Sequence, residues 1–74
     1  MVEFLVVKFD EDRGVIVNGA GGEWRTNQTL QLQAGTCVIT LAPPNDFTPP
    51  DYQFVLKNTT VLAPKEIVFT RVVS

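Results

Sequence analysis

At 74 residues the chain has room for one domain, residues 1–74, and a hydrophobic share of 45% is too rich for disorder. A single cysteine closes no internal disulfide, and the lack of histidine argues against a zinc site. The net charge is −2, and the six basic residues (Lys8, Arg13, Arg25, Lys57, Lys65, Arg71) are scattered without a cluster, which argues against nucleic acid and anionic membrane surfaces as partners, since both need a basic stripe.

Glu3 to Phe9 reads as the first strand. Leu5, Val7 and Phe9 share one face, and Phe4, Val6 and Lys8 share the other. Both faces are largely apolar, which suits a central strand or one covered by a second chain. Asp10-Glu11-Asp12-Arg13-Gly14 reads as a charged hairpin turn whose final glycine takes positive φ. A short strand follows over Gly14 to Val17. Asn18-Gly19 is the strongest short-range turn signal in the chain, since both residues tolerate the left-handed angles of a type I′ turn.

After a loop through Gly22, Glu23 to Arg25 is expected to form a brief edge strand carrying Trp24. Gln28 to Gln33 alternates with Leu30 and Leu32 inward. Ala34-Gly35 turns the chain, and Thr36 to Ala42 follows with Cys37, Ile39 and Leu41 inward. Pro43 to Pro50 reads as a loop, because proline removes ladder donors. Tyr52, Phe54 and Leu56 then alternate with Gln53, Val55 and Lys57. Lys57 to Thr60 is turn-like, and Val61 to Lys65 is irregular around Pro64. Glu66 to Val73 is the expected last strand, with Ile67, Phe69, Arg71 and Val73 on one face. No 3.6-residue period persists for a helix, so the domain is expected to be all-β. The expected architecture is a small antiparallel β-sandwich of about six to seven strands, the alternative being a partly open β-barrel.

The segment Val15-Ile16-Val17-Asn18-Gly19, then Leu30-Gln31-Leu32, Ala34-Gly35-Thr36 and Cys37-Val38-Ile39-Thr40-Leu41 resembles the PEGA domain family. The likeness spans roughly Val15 to Val73. The segment Thr26-Asn27-Gln28 lacks the family's proline, Cys37 stands where an aromatic residue or histidine is usual, and no glycine precedes Tyr52. The resemblance implies a transthyretin-like β-sandwich, usually an accessory or extracytoplasmic module without catalytic residues.

The residues themselves argue against catalysis. Without histidine, Ser-His and Cys-His nucleophile systems are excluded, and the only serine is Ser74. Cys37, on an inward face, reads as a small apolar filler. The eight carboxylates (Glu3, Asp10, Glu11, Asp12, Glu23, Asp46, Asp51, Glu66) have little room for a desolvating cleft in so small a domain. Asp10-Glu11-Asp12 lacks the rest of a calcium loop and reads as a solvated turn. Gly19-Ala20-Gly21-Gly22 is followed by Glu23-Trp24 and no helix pattern, so it reads as a hairpin loop and not a phosphate cradle. Asn27-Gln28-Thr29 and Asn58-Thr59-Thr60 fit a glycosylation pattern that chance often supplies.

Trp24, Arg25 and Tyr52 are the ligand-binding candidates, because exposed aromatic faces stack on sugars or proline-rich peptides. The blander reading has Trp24 capping an open end of the sandwich. No metal site, cofactor or catalytic residue is expected. A small domain without disulfide or metal gains most from association, so the expected function is non-catalytic protein–protein interaction or self-assembly, with a protein partner or a homo-oligomer. A carbohydrate- or peptide-binding module is the alternative. No stretch is apolar enough to span a bilayer, no signal-peptide pattern opens the chain, and the lone cysteine fits a reducing compartment; the expectation is cytoplasmic, without membrane insertion.

Overall fold

The computed structural model describes residues 2–72; Met1, Val73 and Ser74 lie outside the described residues, Val73 being the last position of the expected final strand. The strands are β1 (Val2–Lys8), β2 (Val15–Val17), β3 (Thr29–Gln33), β4 (Gly35–Leu41), β5 (Phe47–Thr48), β6 (Tyr52–Leu56), β7 (Lys65–Val68) and β8 (Thr70–Arg71). The domain is all-β, with no helix among the described residues. One sheet has the order β3-β1-β7, a second β2-β4-β6, and a two-stranded piece pairs β5 with β8. The first two sheets share one core, in which Leu5, Val7 and Ile67 meet Val15, Ile39 and Leu56, as a small β-sandwich requires.

The inward alternation expected for β1, β3 and β4 is present: Leu5 and Val7, Leu30 and Leu32, and Cys37, Ile39 and Leu41 are all buried. β1 is the central strand of its sheet, antiparallel to β3 with Leu5 opposite Leu30. Asn18 and Gly19 take φ of 51° and 82°, and Val17 and Ala20 exchange backbone bonds of 3.0 and 2.9 Å, as a type I′ hairpin demands.

Several expectations are corrected. The pairing is not antiparallel throughout, because β7 runs parallel to β1 with Val7 beside Ile67. The chain crosses from β6 in one sheet to β7 in the other, and such a crossover permits a parallel neighbour where a hairpin does not. Asp10 to Gly14 is not a hairpin turn. β1 and β2 lie in different sheets, and Gly14 has no positive φ. The turn expected at Ala34-Gly35 is present: it carries the chain from β3 in one sheet to β4 in the other, with a φ of 130° at Gly35. Glu23 to Arg25 forms no strand. It runs beside β2 through a Gly14–Arg25 bridge and a Val15-to-Trp24 backbone bond of 2.9 Å.

The proline loop contains β5, two residues between the cis Pro43–Pro44 and Thr48–Pro49 bonds. The expected final strand is two strands, which brings the total among the described residues to eight and not six or seven. The chain breaks at Phe69, which is buried edge-on against Phe47 and Tyr52 at 5.4 and 5.0 Å between ring centroids. Beyond that wedge β8 leaves β1 and pairs with β5.

Candidate functional site

Three places hold the side chains with chemistry to offer. The first is an arginine–carboxylate cluster at the end of β1. The Arg13 and Arg71 guanidinium carbons each lie 5.1 Å from the centroid of the Phe9 ring, within cation–π range. Asp46 joins the two cations: its carboxylate accepts from Arg13 Nη1 and from Arg71 Nη1, both at 2.5 Å. Asp10 accepts from Arg71 Nε and Nη2 at 2.7 and 2.9 Å, and Glu11 pairs with both arginines. Arg13 is buried, and its Nη1 also donates to the Pro44 carbonyl at 2.9 Å.

Asp10-Glu11-Asp12 is therefore not a freely solvated turn; each carboxylate meets an arginine, Asp12 pairing with Arg25 at 3.0 Å. The hydrogen bonds from Arg13 hold the Asp46 carboxyl below its ordinary value of 3.8. Arg71 does the same for Asp10, and Arg25 for Asp12. Among the described residues no group of three or more potential metal ligands converges. The cluster ties the chain after β1, the proline loop and β8 to one another, so it acts as a fastening between loops. The sequence offers little signal for it, because the five charges come from three separated segments.

Glu3 is a second buried charge, and the sequence carries no local signal for its partner. Glu3 follows the inward alternation of β1 and is 4% exposed. Its Oε1 accepts from Thr59 N at 2.8 Å and Thr59 Oγ1 at 2.7 Å, and the Phe4 amide donates to that same hydroxyl at 2.7 Å. Asn58, at φ 59°, turns Thr59 back toward β1. The Thr59 hydroxyl and amide lower the Glu3 pKa. Buried side-chain polar atoms among the described residues all have partners, as native interiors require.

The second place is a hollow of about 340 Å³ lined by Trp24, Val17, Leu32 and Cys37, with Asn18 and Gln31 as polar groups. Trp24 is half-buried and packs against the core from beside β2. Arg25 points away into its exposed pair with Asp12. Tyr52 lies on β6, the opposite edge of the sheet that β2 begins. Its hydroxyl donates to the Val68 carbonyl at 2.5 Å and its ring meets Phe69 edge-on. Trp24, Arg25 and Tyr52 are thus not brought together into one site. Cys37 is buried, and burial raises its pKa, which keeps the thiol protonated.

The third place is the periphery of the two sheets. The outer face of β1 carries half-buried Phe4 and Val6 in line with exposed Val2, and exposed Val68 lies across from Lys8 on β7. On the other sheet, exposed Val55 projects from β6. No helix of the described residues is long and apolar enough to cross a membrane. No family model matches the chain, and neither a curated protein nor a solved structure is found to be similar to it.

Proposed function

We propose that this chain is a non-catalytic β-sandwich module that works by binding another protein chain or a copy of itself. The observation that carries this reading is the apolar outer row of the central strand, Val2, Phe4 and Val6, with Val68 beside it. The row is exposed at Val2 and Val68 and half-buried at Phe4 and Val6, and a contiguous apolar patch at a surface marks an interaction site. The chemistry elsewhere is consistent with a binding role. The clustered carboxylates are held by arginines, Cys37 is buried as a protonated thiol, and there is no histidine to activate a nucleophile. An accessory module of the PEGA type, in a reducing compartment such as the cytoplasm, is in keeping with this reading.

The experiment is a sedimentation-velocity concentration series combined with purification from the native source. Concentration-dependent association, or a stoichiometric co-purifying protein whose binding Phe4→Ser abolishes, is expected. A strict monomer at every concentration, with no associated protein, overturns the reading.

A second reading is favoured by one observation, the hollow beside Trp24 with the Asn18 and Gln31 amides at its rim. An indole next to amide groups suits a sugar or an extended peptide. A shift in Trp24 fluorescence on titration with soluble oligosaccharides or a proline-rich peptide supports it. Unchanged emission across both sets removes it.

A further inference from the structure

The four edges of the two three-stranded sheets are not equivalent. β2 is covered by the returning segment that ends at Trp24 and Arg25. β7 spans four residues and carries Lys65 and Glu66, the latter already paired with Lys8. β3 lies in an uncharged run from Thr26 to Asn45, so nothing charged fixes a register along it. β6 is the last strand of its sheet, and among the described residues no strand lies beyond it. An open edge of this kind is a template for another strand.

The sequence of that edge is Asp51-Tyr52-Gln53-Phe54-Val55-Leu56-Lys57, a segment whose charges are opposite at its two ends and equidistant from Phe54. Asp51 and Lys57 are both exposed, and neither joins an ion pair among the described residues. Of the other three edges, β2 and β3 carry no charge, and on β7 Glu66 pairs with Lys8 while Lys65 lies over the Phe54 ring at 5.7 Å. We infer that β6 pairs antiparallel with β6 of a second copy about a two-fold axis at Phe54, joining two β2-β4-β6 sheets into one six-stranded sheet.

The geometry of an antiparallel pair makes the fit specific. With Phe54 opposite its own copy, Gln53 faces the partner's Val55 and Asp51 faces the partner's Lys57, twice by symmetry. Asp51, Gln53, Val55 and Lys57 share one side of the strand, opposite to Tyr52, Phe54 and Leu56. Cross-strand pairs on one face lie about 5 Å apart at Cβ, within reach of an ammonium–carboxylate contact. A slide of two residues sets Asp51 opposite the partner's Val55 and leaves Lys57 beyond the end of the partner's strand, so the charges select the register. Pro49-Pro50 and the turn at Asn58 bound the paired segment, and the assembly closes as a dimer because the two-fold contact uses the same edge of both copies while β2, at the far side of the sheet, is covered.

This inference rests on the self-association reading above and adds to the outer face of β1 a second surface, the β6 edge of the other sheet. The test uses two variants of the whole chain, Asp51→Lys and Lys57→Asp, in sedimentation equilibrium at low salt, with circular dichroism as the fold check. Each variant alone sets like charges against each other twice and is expected to self-associate at least about tenfold more weakly than the parent. Mixed in equal amounts, the two recover association, since every new charge then faces its opposite. A parent dimer that both variants form equally well, or a mixture no more associated than its components, overturns the β6 pairing and leaves the binding reading standing. A monomeric parent overturns the pairing outright, whereas the binding reading then fails only if no partner protein co-purifies.

Discussion

Gly35 sits at φ 130°, an angle that strains a residue with a side chain by about 1–3 kcal/mol. A Cβ there would meet no atom within 4 Å, so the cost of Gly35→Ala is one of backbone conformation and not of collision. Urea unfolding is expected to show that loss. Gly21→Ala, where φ is ordinary and the space is also empty, is expected to lie within about 0.5 kcal/mol of the parent. Asp46 supplies a second residue-scale test. Its pKa is lowered in the folded state, so the unfolded chain binds more protons in that range and stability rises with pH. The contribution is complete above the ordinary value of 3.8 and disappears as pH falls through the lowered one. Asp46→Asn is therefore expected to reduce the thermal midpoint at neutral pH and to flatten its decline in acid. A parallel decline in both proteins contradicts the ion-pair account.

At the scale of elements, the alternation decides which side chains matter. Ile39 on β4 is fully buried, whereas Val55 on β6 is 58% exposed. Ile39→Ala is expected to cost about 2–5 kcal/mol, and Val55→Thr less than about 0.5 kcal/mol, both read by denaturant midpoint. Equal effects would mean that β6 is covered or that β4 is displaced by one residue. The strands themselves were legible because their inward residues recur every second position, as in Leu30-Gln31-Leu32 and Cys37-Val38-Ile39. The Asn18-Gly19 turn was legible because its two φ angles are set by those two residues alone. The partnering of the strands was not. Ala34-Gly35 reads alike whether it closes a hairpin or carries the chain from one sheet to the other. The break at Phe69 depends on Phe47 and Tyr52, which lie far away in the sequence.

For the molecule as a whole, the candidate site was the least legible part, because its contacts join distant segments. Trp24 was singled out and does line a hollow, but Tyr52 lies on the opposite edge of the sheet from β2 and is engaged by Val68. Arg13 and Glu3 are both buried, each satisfied by a segment well separated from it in sequence. Cys37 gives a check on the global packing. Buried and protonated, it is expected to react with a thiol reagent far more slowly in the folded protein than in urea. Rapid labelling of the native state would place it at an open surface.

Everything proposed about β6 and about the outer face of β1 depends on the chain passing between two sheets, with β1 held between an antiparallel and a parallel neighbour. Cross-strand nuclear Overhauser contacts measure this most directly. The fold requires Leu5 against Leu30 and Val7 against Ile67, with no ladder between β1 and β2. A continuous ladder joining Val7 to Val15 across a hairpin at Asp10 to Gly14 would contradict it.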